Sequence, residues 1–387
     1  MLRALGNSIG SRFRSFAHID WFLFAGALAL SLLGLVTMQP LGQGGEAFFD
    51  RQVVWITLSV IVFFLASIPE YTFLRRTPIV AAIFCIALAL LALVFIAGTV
   101  VKGAQSRFDI GFFVIQPSEF AKLALIIVLA KYFARRHIEI ANFRHIFVSG
   151  AYAAAICILV FLQPDFGSAI IIASIWLGMV LVAGISWKHL AALIITALVV
   201  AGGLWAYVLQ DYQKQRILTF IHPLADIHGA GYNAYQSTVA VGSGELLGKG
   251  IGFGTQSKLR FLPEYQTDFI FAAYAEEWGF IGVLIALCLY ALVMVRALII
   301  ASYGADNFAV LFGVGVALMF FAHIVVHIGM NLGLLPVTGT TIPFMSYGGS
   351  HLLTEFLALG ILMGLRRRGK TVTRVVDETE SVGAALI

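Results

Sequence analysis

Apolar residues run along this chain in long blocks broken by short polar stretches. Ten blocks of roughly membrane-spanning length cover residues 19–38, 52–68, 77–98, 117–134, 147–162, 168–184, 190–209, 279–301, 308–333 and 351–365. Each predicts a helix, because backbone in hydrocarbon must satisfy its own hydrogen bonds. Blocks 147–162 and 168–184 are short, and only Gln163-Pro164-Asp165-Phe166-Gly167 separates them, so they read as a helical hairpin with a polar tip. The pattern predicts an all-α polytopic membrane protein: an inner tail 1–18, a single transmembrane domain 19–369 and an inner tail 370–387.

The polar connections are unevenly placed. Stretches 39–51, 99–116, 163–167, 210–278 and 334–350 all fall on one side of the membrane. Irregular backbone at that depth must line a wet cavity or be buried in protein, so the asymmetry points to a site on that side. Segment 210–278, between spans seven and eight, is too long for a simple connector. Residues 232–247 within it read as an interfacial or re-entrant helix. Its glycines at 229, 231, 242, 244, 248, 250, 252 and 254 favour close packing over a phosphate cradle.

Composition agrees with the blocks. The chain is 60% hydrophobic and 12% charged, with mean hydropathy +0.94, where a soluble domain carries about 25% charged residues. With the N-terminus inside, 16 of the 25 Lys and Arg lie on the inner side, as positive-inside topology requires. Both termini are then cytoplasmic. The +5 net charge is mostly topology and carries no nucleic-acid signature. Residues 1–18 and the first block read as a retained helix rather than a cleaved leader. Cys85, Cys157 and Cys288 fall within spans, with no disulfide or metal spacing.

The acids are the first place to look for chemistry, since intramembrane charge is costly unless paired or used. Glu264, Asp268, Glu276 and Glu277 fall within fourteen residues, in a chain with 20 acids. Asp268, just before a span, is the candidate general base, with a helix cap as the simpler role. Glu276 and Glu277 suit pairing within the bundle. Glu119 and Lys122 share a helix face behind Pro117 and read as an ion pair, a ligand-binding pair, or both. Asp165 reads as a cap near Ser168. Arg51 is either an interface anchor or a contact for an anionic head group. Lys249, Lys258 and Arg260 form a solvated or phosphate-facing edge. His222, His228, His323 and His327 make no metal set; His323 and His327, four apart, suit packing or hydrogen bonding.

Four stretches carry a family resemblance: Gln116-Pro117-Ser118-Glu119-Phe120-Ala121-Lys122; Gln163 to Gly167; Gly229 to Gly254 with Gly254-Thr255-Gln256-Ser257, Leu262 to Phe271 and Glu276 to Phe280; and Gly333 to Gly339 with Ser346-Tyr347-Gly348-Gly349-Ser350. Here the chain resembles the SEDS family (shape, elongation, division and sporulation) of membrane glycosyltransferases, its RodA elongation branch more than its FtsW branch. The likeness spans all ten blocks. It implies a peptidoglycan glycosyltransferase that polymerises lipid II at the outer face of the cytoplasmic membrane, with a class B penicillin-binding protein as partner. It makes Asp268 the base and sets Glu119, Lys122, Arg51 and Lys249 toward substrate and pyrophosphate. No metal ligand set is encoded, though a divalent cation on the pyrophosphate is compatible. The chain departs from the family where Ser106-Arg107 stands for the usual Arg-Trp, and where Thr340-Thr341-Ile342 replaces Val-Pro-Leu. A lipid II flippase or a non-catalytic scaffold are the competing functions; the outward clustering of the acids disfavours the flippase.

Overall fold

The computed structural model describes residues 19–38, 48–101, 104–111, 113–135, 143–221, 231–259, 261–262 and 264–384. The inner tail 1–18, His222, His228 and Arg260 lie outside the described residues. In chain order the helices are α1 (Trp21–Met38), α2 (Phe48–Ser67), α3 (Thr77–Ala97), α4 (Pro117–Ala134), α5 (Phe143–Leu162), α6 (Phe166–Ala183), α7 (Trp187–Tyr207), α8 (Asp211–Ile221), α9 (Tyr232–Ser243), α10 (Thr255–Lys258), α11 (Ile270–Ser302), α12 (Asn307–Asn331) and α13 (Gly349–Ala384). Among the described residues, α1, α2, α3, α5, α6, α7, α11 and α12 are long and apolar enough to cross a membrane. The chain is a multi-pass membrane protein. Of the two remaining expected spans, 117–134 coincides with α4, whose apolar run holds Glu119, Lys122 and Lys131, and 351–365 lies inside α13.

One expectation needs amending. The 99–116 connection, expected as a loop, is a three-stranded antiparallel sheet: β1 (Thr99–Val101), β2 (Ala104–Ile110) and β3 (Phe113–Ile115). Arg107 pairs opposite Thr99, and Asp109 opposite Val114. A segment too short to cross the membrane satisfies its backbone by folding on itself. The polar tail past residue 370 continues α13 as helix to Ala384, with no proline after Pro343 to stop it.

α4 is the buried axis. Its apolar residues from Ala121 to Ala130 are enclosed, and α3, α6 and α12 pack around it. α1 lies on α11 and α2 on α13. The α2–α13 approach depends on Gly360: a Cβ there would come 2.7 Å from both Ala66 Cβ and the Phe63 carbonyl oxygen. α7, in contrast, buries none of its residues.

α11 is broken at Gly279, whose φ of 65° and ψ of −167° no helix allows. The groups freed by the break pair with loop 244–250. Phe280 N donates to Glu245 O (2.8 Å) and Ile281 N to Leu246 O (3.1 Å), while Lys249 N and Gly250 N donate to Glu276 O and Glu277 O (both 3.0 Å). An interruption inside a span is tolerated because protein backbone replaces the missing helix bonds.

The middle of α13 is tied down by one acid. Asp20 caps α1 by accepting from Leu23 N (3.1 Å), and it binds Arg296 of α11 and Arg366 of α13. Asp20 is 3% exposed. Arg366 stands about 25 Å along α13 from its start, at 1.5 Å per residue. Asp20→Ala leaves two arginines facing each other and is expected to remove about 3–5 kcal/mol. Arg75→Ala, which breaks the half-exposed Arg75–Asp306 pair, is expected to cost about 0–1 kcal/mol. Thermal unfolding of the two variants in detergent checks this: equal losses contradict the clamp.

Candidate active site

Loop 332–348 joins α12 to α13 and is gripped from both sides. On the side of the bundle core, His323 Nδ1 donates to Thr341 O (3.0 Å) and His327 Nδ1 to Thr340 O (2.7 Å). Tyr290 donates its hydroxyl to Pro343 O (2.7 Å), and Phe344 N donates to Glu355 Oε2 (2.8 Å). On the other side the loop holds the turn 264–269 that carries Asp268. Tyr347 N donates to Gln266 O (2.8 Å), and Ser346 Oγ donates to Thr267 O (2.9 Å). Asn331 Nδ2 donates to Asp268 O (3.0 Å). The Asp268 carboxylate faces Gly339: a Cβ there, where φ is +71°, would sit 3.5 Å from Asp268 Oδ2. Asp268 is partly exposed, whereas its neighbour Phe269 is enclosed. Arg51, also partly exposed, precedes Gln52 on α2, whose Nε2 donates to Ser346 O (3.3 Å).

Behind the loop runs a row of buried charged and polar groups. Lys122 Nζ donates to Glu119 Oε1 (2.8 Å) and to His323 Nε2 (3.0 Å). Glu119 Oε2 lies 2.8 Å from His351 Nδ1, and His351 Nε2 lies 2.9 Å from Glu355 Oε1. Lys122 is 0% exposed, so its charge has to be met within the protein. His351 faces a carboxylate at each ring nitrogen, Glu119 within hydrogen-bond geometry and Glu355 at ion-pair distance, an arrangement that suits a ring protonated on both. Charges then alternate along Glu355, His351, Glu119 and Lys122, and His323 completes the row as Lys122's acceptor. Glu119, His323 and His351 bring ligand atoms within 4.8 Å of one another, the look of a metal set. The Lys122 ammonium already supplies the positive charge at two of those three groups.

Asp165 gathers the start of α4. Its Oδ1 caps α6 by accepting from Ser168 N (3.0 Å), and its Oδ2 accepts from Gln116 Nε2 (2.8 Å). Pro117 occupies the first turn of α4, where its missing N–H costs nothing. Glu276 and Glu277 are bound by the glycine-rich loop. Glu276 Oε1 accepts from Thr255 N (2.9 Å) and Lys249 Nζ (2.7 Å), and Oε2 from Gln256 N (3.2 Å). Glu277 Oε1 accepts from Gly252 N (3.0 Å). These loop amides point at the protein's own carboxylates, the packing role the sequence favoured over a phosphate cradle. Lys249, assigned to pyrophosphate, is engaged with Glu276.

Comparison with known proteins gives the family. The model of the FtsW, RodA and SpoVE family, described as "Cell cycle protein", matches residues 15–371. The chain belongs to that family. Peptidoglycan glycosyltransferase MrdB of Escherichia coli is 34% identical, over 93% of this chain and 96% of the relative. Peptidoglycan glycosyltransferase RodA of Treponema pallidum is 30% identical, over 92% and 99%. Among solved structures, a chain of a peptidoglycan synthase complex superposes with a TM-score of 0.76 at 31% identity, covering 90% of this chain and 98% of the other. Thermus thermophilus RodA superposes with a TM-score of 0.67 at 29% identity, covering 90% and 96%.

In this family member the tertiary structure joins Glu119 and Lys122 to His323, for which the sequence suited packing or hydrogen bonding, and to His351 and Glu355, which it passed over. The signal was present: His351 and Glu355 lie four apart in an apolar run, where ionisable groups are rare without a purpose. Glu119→Gln or Lys122→Met alone strands a buried partner, and each is expected to remove about 3–5 kcal/mol. The double variant is expected to lose less than the sum. Thermal unfolding of the three variants in detergent reads this, and strictly additive losses would show that the pair does not act as a unit.

Proposed function

We propose that this chain is a peptidoglycan glycosyltransferase that polymerises lipid II into glycan strands at the outer face of the cytoplasmic membrane, for wall elongation and rod shape. The names of the relatives support the activity. The observation that carries the site is the placing of Asp268: a partly exposed carboxylate at the start of a membrane helix, on a turn fixed by backbone bonds and facing a glycine. An acceptor can reach it, and its direction is set.

The reaction needs a base and a neutralised leaving group. As the acceptor sugar hydroxyl attacks the anomeric carbon of the donor, Asp268 takes its proton. The bond to the lipid pyrophosphate breaks from the opposite face, which inverts that carbon. The departing pyrophosphate gains charge that cations stabilise. Arg51, next in sequence to the Gln52 that holds Ser346 O, is the candidate for direct contact. Lys122 is enclosed and acts through the set of Glu119. Lys249 shares its charge with Glu276 and serves the rim of the site. Both substrates carry long lipid tails, so the site opens sideways to the bilayer.

The match to a peptidoglycan synthase complex supports a partner that crosslinks. A class B penicillin-binding protein, contacting α11, α12 and the outer loops, fits that role.

Asp268→Asn keeps the size of the side chain and removes the base. It is expected to insert normally, to retain the partner, and to lose about 10²–10⁴-fold in glycan formation. The assay is labelled lipid II with the purified protein and its partner. Loss of folding would give Asp268 a structural role instead. Near-native polymer would return the chain to the flippase or scaffold reading.

A further inference from the structure

The buried row behind loop 332–348 has a feature that charge pairing alone does not require. Both of its ends finish on the backbone of the same short loop. At one end Glu355 Oε2 accepts from Phe344 N (2.8 Å), and at the other His323 Nδ1 donates to Thr341 O (3.0 Å). Phe344 has φ of +62°, a left-handed conformation that a bulky side chain disfavours. The bond to Glu355 helps to hold it there. A buried ion row is no stronger than well-packed apolar residues of the same volume, and often weaker. What it adds is direction: charged acceptors and donors fix backbone groups in place, which leucines in the same positions cannot do.

We propose that the row Glu355–His351–Glu119–Lys122–His323 is a positioning device for Asp268, acting through loop 341–347. The path is short and continuous. Ser346 Oγ accepts from Ile342 N (2.9 Å), the residue between the two gripped positions, and donates to Thr267 O (2.9 Å). Tyr347 N donates to Gln266 O (2.8 Å). Gln266 and Thr267 immediately precede Asp268. A loop held at Thr341 and Phe344 therefore holds the turn that aims the carboxylate. His351 and Glu355 touch no reacting atom in this scheme; they are positioning residues. The idea rests on the reading of Asp268 as the base.

The test separates the loop bond from the charges. His351→Leu/Glu355→Leu removes two neutralising partners together and takes the acceptor from Phe344 N. His351→Leu/Glu355→Gln removes the same charges and retains an acceptor for Phe344 N. Polymerisation of labelled lipid II with the partner present gives kcat and KM. Hydrogen exchange read by mass spectrometry follows peptides 338–348 and 264–270. For the Leu/Leu variant, kcat is expected to fall about tenfold, the worth of one charge-assisted hydrogen bond, with KM unchanged, as for an interaction made only in the transition state. Both peptides are expected to exchange faster. The Leu/Gln variant is expected to lose less kcat than Leu/Leu and to exchange more slowly than Leu/Leu in both peptides, because only the bond to Phe344 N distinguishes the two. His323→Leu, which leaves every charged pair in place, tests the other end and is expected to reproduce the Leu/Leu signature even if that variant fails to insert. The proposal is overturned if Leu/Leu and His323→Leu polymerise at the native rate. It is also overturned if the Leu/Gln and Leu/Leu variants are equally impaired, or if 338–348 loosens while 264–270 does not. If the native protein itself makes no glycan, the enzymatic reading fails, and the exchange data alone decide whether the row grips the turn.

Discussion

Hydrocarbon offers a charge neither water nor counter-ions, so a charged side chain inside this bundle must find its partner in the protein. Lys122 on α4 sets that requirement, because it is wholly enclosed. Glu119 answers it from one turn away, and His323 answers it from α12. Glu119 in turn needs His351 of α13, and His351 faces Glu355. α4 is thereby brought to one register with α12 and α13, nearly two hundred residues further along the chain. Apolar surfaces alone would let them slide, since lipid tails are as apolar as the side chains that would pack. The loop between α12 and α13 inherits that register, and with it the turn that carries Asp268.

The same scarcity of water governs the backbone. The break at Gly279 frees carbonyls and amides that would be ruinous in lipid, and loop 244–250 covers them residue for residue. The glycines of that loop serve close approach. At Gly248, where φ is +79°, a Cβ would run into the backbone of Glu277. Glu277 and Glu276, just before the break, then bind the amides of Gly252 and Thr255 beyond that loop.

Much of this was legible in the sequence. The apolar blocks gave the helices, because a spanning helix needs only length and hydrophobicity, both local properties. The cap at Asp165, the Glu119–Lys122 contact and the short segment 163–167 are local too, set by neighbours three or four residues apart. The motifs around Gln116, Asp268 and Ser346 were enough to name the family. Sequence pattern did not show the sheet at 99–115, since its strands are three to seven residues long and no alternating apolar pattern marks them.

What the chain alone could not decide is which charges meet across helices. His323 suited packing or hydrogen bonding, with no partner in view because no carboxylate stands near it in sequence; Lys122, which it meets, is 201 residues away. Lys249 looked phosphate-facing because Glu276 is 27 residues off. His351 and Glu355 gave no motif at all. Residue type and spacing determine where the chain enters the membrane and which helix faces are polar. Only the packing of α4, α12 and α13 determines that those polar faces converge, because a buried charge is indifferent to sequence distance and responds to whatever lies within a few ångströms.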